Sequence, residues 1–252
     1  MRVWSLGGLL VAALAVLVAL WIGQRVSPPV GRDTNVLLFE ADGGANWRAL
    51  LLSGAVLQAR AQVCYPHTRG LEGWSVRGGR LEVRMAPGVS PRWLVREARR
   101  LGMIELVEGG TEFLPIGQHV RTGPVAQPDS DVYETVLTAH HFVMAEVALR
   151  AGKPVIAFRL TPQGDARLAA HTDMHSGYYL CLVVDGTVVN CPILRTPLME
   201  RHGLIELRGQ VTLAQARTWA ALLRSGPLPV TLRAVAMPSG VAVDDDSLCT
   251  FE

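Results

Sequence analysis

The residue types with the clearest potential for chemistry are the two histidines of His171-Thr172-Asp173-Met174-His175. Histidines four apart on a helix face the same way, so the two imidazoles could share a metal ion. The zinc-protease pattern HExxH needs a glutamate beside the first histidine as general base, and Thr172 stands there instead. The helix is also expected to end here, and no third ligand is evident. The segment therefore reads as a solvated helix end and no metal ligand is assigned. His140 and His141 are adjacent, so on a helix their side chains diverge by about 100° and point at different neighbours. They read as surface residues.

Other candidates fall to simpler explanations. Ser176-Gly177, Ser225-Gly226 and Ser239-Gly240 lack the GxSxG elbow that forces a nucleophilic serine into exposure. Asp185 precedes Gly186, and aspartate tolerates the left-handed backbone of a type I′ turn, which accounts for it without catalysis. Asp244-Asp245-Asp246 lies in a polar stretch and reads as a solvated charge run. No GxGxxG follows an expected strand, no GxxxxGK occurs, and no CxxC or Cys/His spacing suggests a structural zinc site. No catalytic, cofactor-binding or metal-binding residue is assigned, and the chain is not expected to be an enzyme.

The elements that would position these residues alternate in type. Val36 to Glu40 reads as a strand, followed by helical spacing of Trp47, Leu50, Leu51, Gly54 and Leu57 behind an Asn46 cap. Trp74 to Val76 and Arg80 to Met85 flank a Gly78-Gly79 turn, and Ser90-Pro91 opens a helix that Gly102 ends. Met103 to Val107 is then expected to close a β-α-β-β-α-β half. Thr122 to Asp131 collects turn formers and reads as an internal boundary. Beyond it, Ala145 to Leu149 and Pro154 to Leu160 flank Ala151-Gly152, and Thr161-Pro162 caps a helix to Met174. Tyr178 to Val184 and Thr187 to Asn190 flank Asp185-Gly186, the strongest hairpin signal present. Leu204 to Leu207 is a strand, Thr212 and Gln215 form a capping box, Gly226 stops that helix, and Leu228 to Val235 closes the sheet. The expected fold class is α+β, with two ferredoxin-like antiparallel units.

The chain has 252 residues and a formal net charge of +2. No basic block exceeds Arg99-Arg100, so nucleic acid is not an expected partner. Val3 to Gly23 is free of charge, and at about 1.5 Å per residue it reaches roughly 31 Å, the thickness of a bilayer core. It reads as one uncleaved transmembrane anchor, because its apolar run exceeds that of a signal peptide and Leu20-Trp21-Ile22-Gly23 offers no cleavage site. Trp4 and Trp21 suit the two interfaces, but Arg2 and the amino terminus nearly balance Arg25 and Arg32, so charge does not set the orientation. Cys64, Cys181, Cys191 and Cys249 could form two disulfides in an oxidising compartment. A two-residue turn at Asp185-Gly186 pairs Cys181 with Asn190 and Leu180 with Cys191, so Cys181 and Cys191 are expected on opposite faces and not bonded to each other.

One stretch carries a resemblance. Leu160-Thr161-Pro162-Gln163-Gly164, Thr172, Gly177, Val183-Val184-Asp185-Gly186, Pro192, Gly209, Ala216 and Leu223-Arg224-Ser225-Gly226-Pro227-Leu228-Pro229 resemble the head of the first periplasmic domain of SecD, the accessory subunit of the Sec protein translocase. The likeness runs from about Leu137 to Val230. Leu37 to Asp42, Arg60 and Leu81 to Val89 look like the base of the same domain. Two positions depart from the family: Gln24 to Asn35 lacks its Asp and Gly-rich strand motif, and Asp165 replaces a small apolar residue. The family's five later spans have no counterpart after Val235, so the chain reads as truncated after that domain and without the proton-driven part of export.

The expected organisation is an anchor with flanks at 1–25, a linker at 26–34, a base-like unit at 35–121, a linker at 122–132, a head-like unit at 133–236 and a polar tail at 237–252. The resemblance implies a single-pass membrane protein with an extracytoplasmic soluble region. Its expected partners are membrane lipid through Val3 to Gly23, other Sec translocase subunits and unfolded preprotein. The expected role is to assist export by binding chains in transit; the alternatives are an envelope adhesion or assembly module, and an enzyme resting on His171 and His175. Gly164, Thr172, Gly177, Asp185, Gly186, Pro192, Gly209, Ser225, Gly226, Leu228 and Pro229 are taken as structural signature positions.

Overall fold

The computed structural model describes residues 35–126, 132–193 and 202–236, all within one compact unit. The expected anchor, the 26–34 linker and the polar tail lie outside the described residues. In chain order the first elements are β1 (Val36–Ala41), α1 (Trp47–Cys64), β2 (Leu71–Arg77), β3 (Arg80–Met85), α2 (Pro91–Arg99) and β4 (Ile104–Gly110). They are followed by β5 (Arg121–Gly123), β6 (Val132–Thr138), a 3-10 turn (Ala139–His141), β7 (Phe142–Arg150), β8 (Lys153–Leu160) and α3 (Pro162–Met174). The last are β9 (Tyr179–Val184), β10 (Thr187–Asn190), β11 (His202–Glu206), α4 (Leu213–Ser225) and β12 (Leu232–Ala236). Among the described residues, no helix is long and apolar enough to cross a membrane.

Local chemistry sets the helix starts. The Asn46 side chain accepts the Ala49 N–H at 2.9 Å, and Ser90 and Thr161 do the same for Trp93 and Gly164 at 3.3 and 3.1 Å. Each cap satisfies one of the N–H groups that a helix leaves unpaired at its start. Thr212 and Gln215 form the expected capping box before α4, with each side chain bonded to the other's backbone N–H.

The first sheet has strand order β12-β1-β3-β2 and is antiparallel throughout. With α1 and α2 it forms a β-α-β-β-α-β unit, but its closing strand is β12 and not the expected Met103 to Val107. Burial explains the exchange. Ile104, Glu105, Leu106 and Val107 of β4 are buried in succession, which requires cover on both faces, whereas β12 buries Leu232 and leaves Arg233 exposed. Accordingly β4 takes the centre of a second sheet, of order β10-β9-β4-β6-β5, between β9 and β6. Its Leu106 enters one core with Leu137, Leu182 and Leu222, while Val107 enters another with Cys181, Val183 and Val188. A third sheet, β11-β8-β7, packs Ile156, Phe158 and Ile205 into the first of these cores.

The fold class is α+β as expected, but two ferredoxin-like units from contiguous halves are not what forms. One such unit is present, and the segment from β4 to α4 is inserted ahead of its last strand. Antiparallel pairing also has an exception in β5 and β6, which run parallel, with Arg121 opposite Val132. Neither strand stands out in the sequence: β5 has three residues, and Val132 to Thr138 follows a run of turn formers.

The expectation for Cys181 and Cys191 is wrong, since they form a disulfide. The turn itself is as expected: Asp185 and Gly186 take positive φ, and Val184 pairs with Thr187. The register then shifts by one, with Val188 opposite Val183 but Asn190 opposite Leu182. Val189 is the extra residue of a β-bulge, which brings the two cysteines onto the same side. Asn190 anchors the bulge: its side chain donates to the Arg208 C=O and accepts the Arg208 N–H, both at 3.1 Å.

Peptide mapping without reductant should recover a Cys181–Cys191 pair. With a sequence separation of only 10, its loss in Cys191→Ser should lower the unfolding free energy by about 2–3 kcal/mol. Denaturant unfolding of oxidised wild type and variant measures this, and equal midpoints would show that the bond constrains nothing.

Candidate functional site

Four of the signature positions, Asp185, Ser225, Gly226 and Leu228, converge on the loop between α2 and β4. Arg60, on the buried face of α1, is fully buried and donates in five directions. Its guanidinium reaches the C=O groups of Glu97 (3.2 Å), Leu101 (2.7 Å) and Gly226 (3.1 Å), the Ser225 Oγ (3.3 Å) and Glu97 Oε2 (3.4 Å). Burial pulls Arg60 down to about 10 against the opposing pull of Glu97, so it remains a cation at neutral pH. That charge sits at the carbonyl-rich ends of α2 and α4, where a cation complements the helix dipoles.

Asp185 locks the same loop from the other side. Its carboxylate accepts the N–H groups of Gly102 (3.2 Å) and Met103 (2.8 Å), and its own N–H donates to the Met103 C=O at 2.8 Å. The turn explanation holds but is incomplete, because the side chain also ties the β9–β10 hairpin to the entry of β4. Gly102 is required here: at φ +68° an added Cβ would collide with the Arg60 guanidinium and the Leu222 side chain. Gly226 ends α4 at φ 72° and ψ −176°, a positive-φ region open essentially to glycine alone and distinct from the expected left-handed helical cap. Leu228 is buried, and its N–H donates to the same Leu101 C=O that Arg60 binds.

The remaining signature positions serve local turns and contacts. Gly164 sits in the first turn of α3 against His141, and the Thr172 hydroxyl donates to the Ala169 C=O in its own helix. Gly177 and Gly209 take positive φ in turns, the Gly186 C=O accepts from Val120, and the Pro192 C=O accepts from Leu180. Pro229 is exposed after Leu228. Together these positions hold a fold and present no catalytic constellation.

The histidines differ from the sequence reading. His171 is buried and not solvated, and β4 brings Glu108 beside it. Burial lowers the His171 pKa, with Glu108 pulling the other way. Glu108 lies sixty-odd positions away in sequence, with no motif to link it to the helix, so only the pairing of β4 within the second sheet could have revealed it. His140 is exposed as expected. His141 is half-buried: its Nδ1 accepts the Thr138 N–H at 3.0 Å, and burial lowers its pKa.

β7 and β11 are the outer strands of the third sheet, and among the described residues no further strand pairs with β7. β7 is nine residues long and exposes Val143 and Leu149, and β11 exposes Leu204. By contrast, β10 is covered on its outer side by residues 117–120: the Gly117 N–H donates to the Val188 C=O, and the Val188 N–H donates to the Gln118 C=O. A free strand of this length can pair with an extended peptide.

A ferredoxin-like base carrying a large α+β insertion before its last strand defines a two-part domain. Residues 124–230 match the family model described as SecDF, P1 head subdomain. SecD of Dictyoglomus turgidum is 31% identical over 103 residues, covering 40% of this chain and 25% of that protein. SecD of Thermobaculum terrenum is 31% identical over 119 residues, covering 46% and 22%. A solved SecDF, described as a membrane component that enhances protein export, shares the fold with a TM-score of 0.56 at 22% identity, covering 80% of this chain and 98% of the other. SecDF in its super-membrane-facing form gives a TM-score of 0.59 at 20% identity, covering 91% and 34%. Residues 124–230 are thus similar to the P1 head of SecDF and the described residues share the fold of solved SecDF, and the chain spans about a quarter of the length of the SecD relatives it matches.

Two outcomes follow for stability. Arg60→Ala leaves several buried carbonyls unpaired, while Glu97 keeps its 2.6 Å ion pair with Arg100, and should cost about 2–4 kcal/mol, read from denaturant midpoints; a loss below about 1 kcal/mol would show that water replaces the guanidinium. His141 and His171 have folded pKa values below their ordinary 6.5, so in acid the unfolded chain binds more protons than the folded one. Their contribution is intact above pH 6.5 and is lost as pH falls through 6.5 towards the lowered values. In chelator, the melting temperature should therefore drop between about pH 7.5 and 5.5, and a double His141→Gln, His171→Gln variant should drop less.

Proposed function

We propose that this chain is a membrane-anchored, extracytoplasmic SecD-type module that assists Sec-dependent export by holding extended segments of unfolded chains. The observation that carries this reading is the match of residues 124–230 to the SecDF P1 head, on a fold shared with SecDF over most of the chain. The translocase subunits named among its relatives make other Sec subunits its natural partners. The Cys181–Cys191 disulfide favours an oxidising compartment for the soluble region. Val3 to Gly23 supplies the anchor and contains no ionisable side chain to relay protons, so the contribution proposed for this part of the protein is binding.

The binding surface in this reading is the free side of β7. Strand addition uses backbone hydrogen bonds, so it accepts many sequences with modest affinity, as a factor that meets unrelated precursors must. Val143 and Leu149 give such a peptide apolar contacts without a selective pocket.

Photo-crosslinking amino acids placed at Val143, Leu149 and Leu204 in cells should capture several unrelated exported precursors and translocase subunits. Capture of one defined envelope protein instead would replace export with the assembly-module alternative. Capture of precursors only from positions far from β7, such as Trp47, would move the binding surface elsewhere.

A further inference from the structure

We propose that Glu108, His171 and His175 form a binding site for a divalent transition cation of zinc-like ligand preference. The inference is independent of the export reading and rests on geometry. Glu108 Oε2 lies 3.5 Å from His171 Nδ1 and 3.8 Å from His175 Nδ1, and the three ligand atoms fall within 4.8 Å of one another. These spacings exceed a hydrogen bond of about 2.7–3.2 Å, and the carboxylate bonds to neither ring. They come close to the edge of a coordination tetrahedron, which for zinc bonds of about 2.0–2.1 Å is roughly 3.3–3.4 Å. Two imidazoles and one carboxylate are borderline donors suited to zinc and its neighbours, not to calcium or magnesium.

The surroundings favour a cation further. His171 and His175 sit on the last turn and cap of α3, where unpaired carbonyls make the helix end negative. Glu108 is fixed on the central strand of the second sheet, opposite Leu180 of β9. The rings of His171 and His175 lie 4.7 Å apart on one side of the helix. His175 Nδ1 is also 3.2 Å from the His171 C=O, a contact that ligation would replace. His175 is only half-buried, so ions can enter and water can fill a fourth position. With Thr172 in place of the glutamate of HExxH, the site has no adjacent general base. Its role is then a clamp joining the end of α3 to β4.

The test uses untagged full-length protein in detergent, stripped with chelator and desalted. Titration with Co2+ should produce the visible absorption of a low-coordinate site with one equivalent bound, Zn2+ should abolish it, and Zn2+ should raise the melting temperature. Glu108→Gln and His175→Asn, which leave the buried His171 in place, should each weaken Zn2+ binding by more than about tenfold, since even outer-shell losses cost that much. Far-UV circular dichroism matching wild type ensures that these variants are folded. Failure of Zn2+ to shift the melting temperature, or equal Zn2+ affinity in wild type and both folded variants, overturns the site.

Discussion

A fully buried guanidinium must find acceptors for its donors, and Arg60 finds them only when three separate parts of the chain are in place. The end of α2, the Leu101 turn and the end of α4 each supply carbonyl oxygens to it. None of the three is close to Arg60 in sequence, so the cation acts as a test of assembly: with any one missing, a charge or several carbonyls would be buried unpaired. Because α4 leads directly through Leu228 into β12, the same contact determines where the closing strand of the first sheet begins. The inserted head is therefore held at both its entry, Gly102 and Met103, and its exit, Gly226 to Leu228.

This attachment makes base and head mechanically continuous. β4 starts at the Arg60 and Asp185 node and runs into the centre of the second sheet, while α4 places Ala221 in the first core and Leu222 and Leu223 in the second. Six consecutive residues of α4, Thr218 to Leu223, are buried, so that stretch has no solvent face to relax towards, and moving it would open both cores. Flexible hinging between the two parts is thus opposed by packing as well as by hydrogen bonds.

Local chemistry was legible in the sequence because its signals are short-range. Asn46, Ser90, Thr161 and the Thr212–Gln215 pair cap helices where their types predict, and Asp185-Gly186 forms its turn. What failed depended on partners far along the chain. A strand pattern does not say which sheet it joins, so β4 and β12 exchanged places; only the unbroken burial of β4 distinguishes a central strand from an edge. A bulge at Val189 leaves no mark in a run of valines, yet one residue reverses the facing of Cys191. The same blindness hid Glu108, whose relation to His171 exists only after β4 has paired with β9.

The signature residues also show why the family resemblance survives while no reactive cluster accompanies it. Asp185, Ser225, Gly226 and Leu228 are held by what they bond to, and each bonds to the backbone or to Arg60. Substituting one unpairs a buried group, so their identities follow from the architecture. A surface that pairs with peptide backbones, as proposed for β7, would impose no such demand: it would need only an extended strand with apolar side chains of no particular shape. Positions doing the binding in such a protein would therefore be less distinctive than positions holding the frame, and a motif drawn from sequence marks the frame.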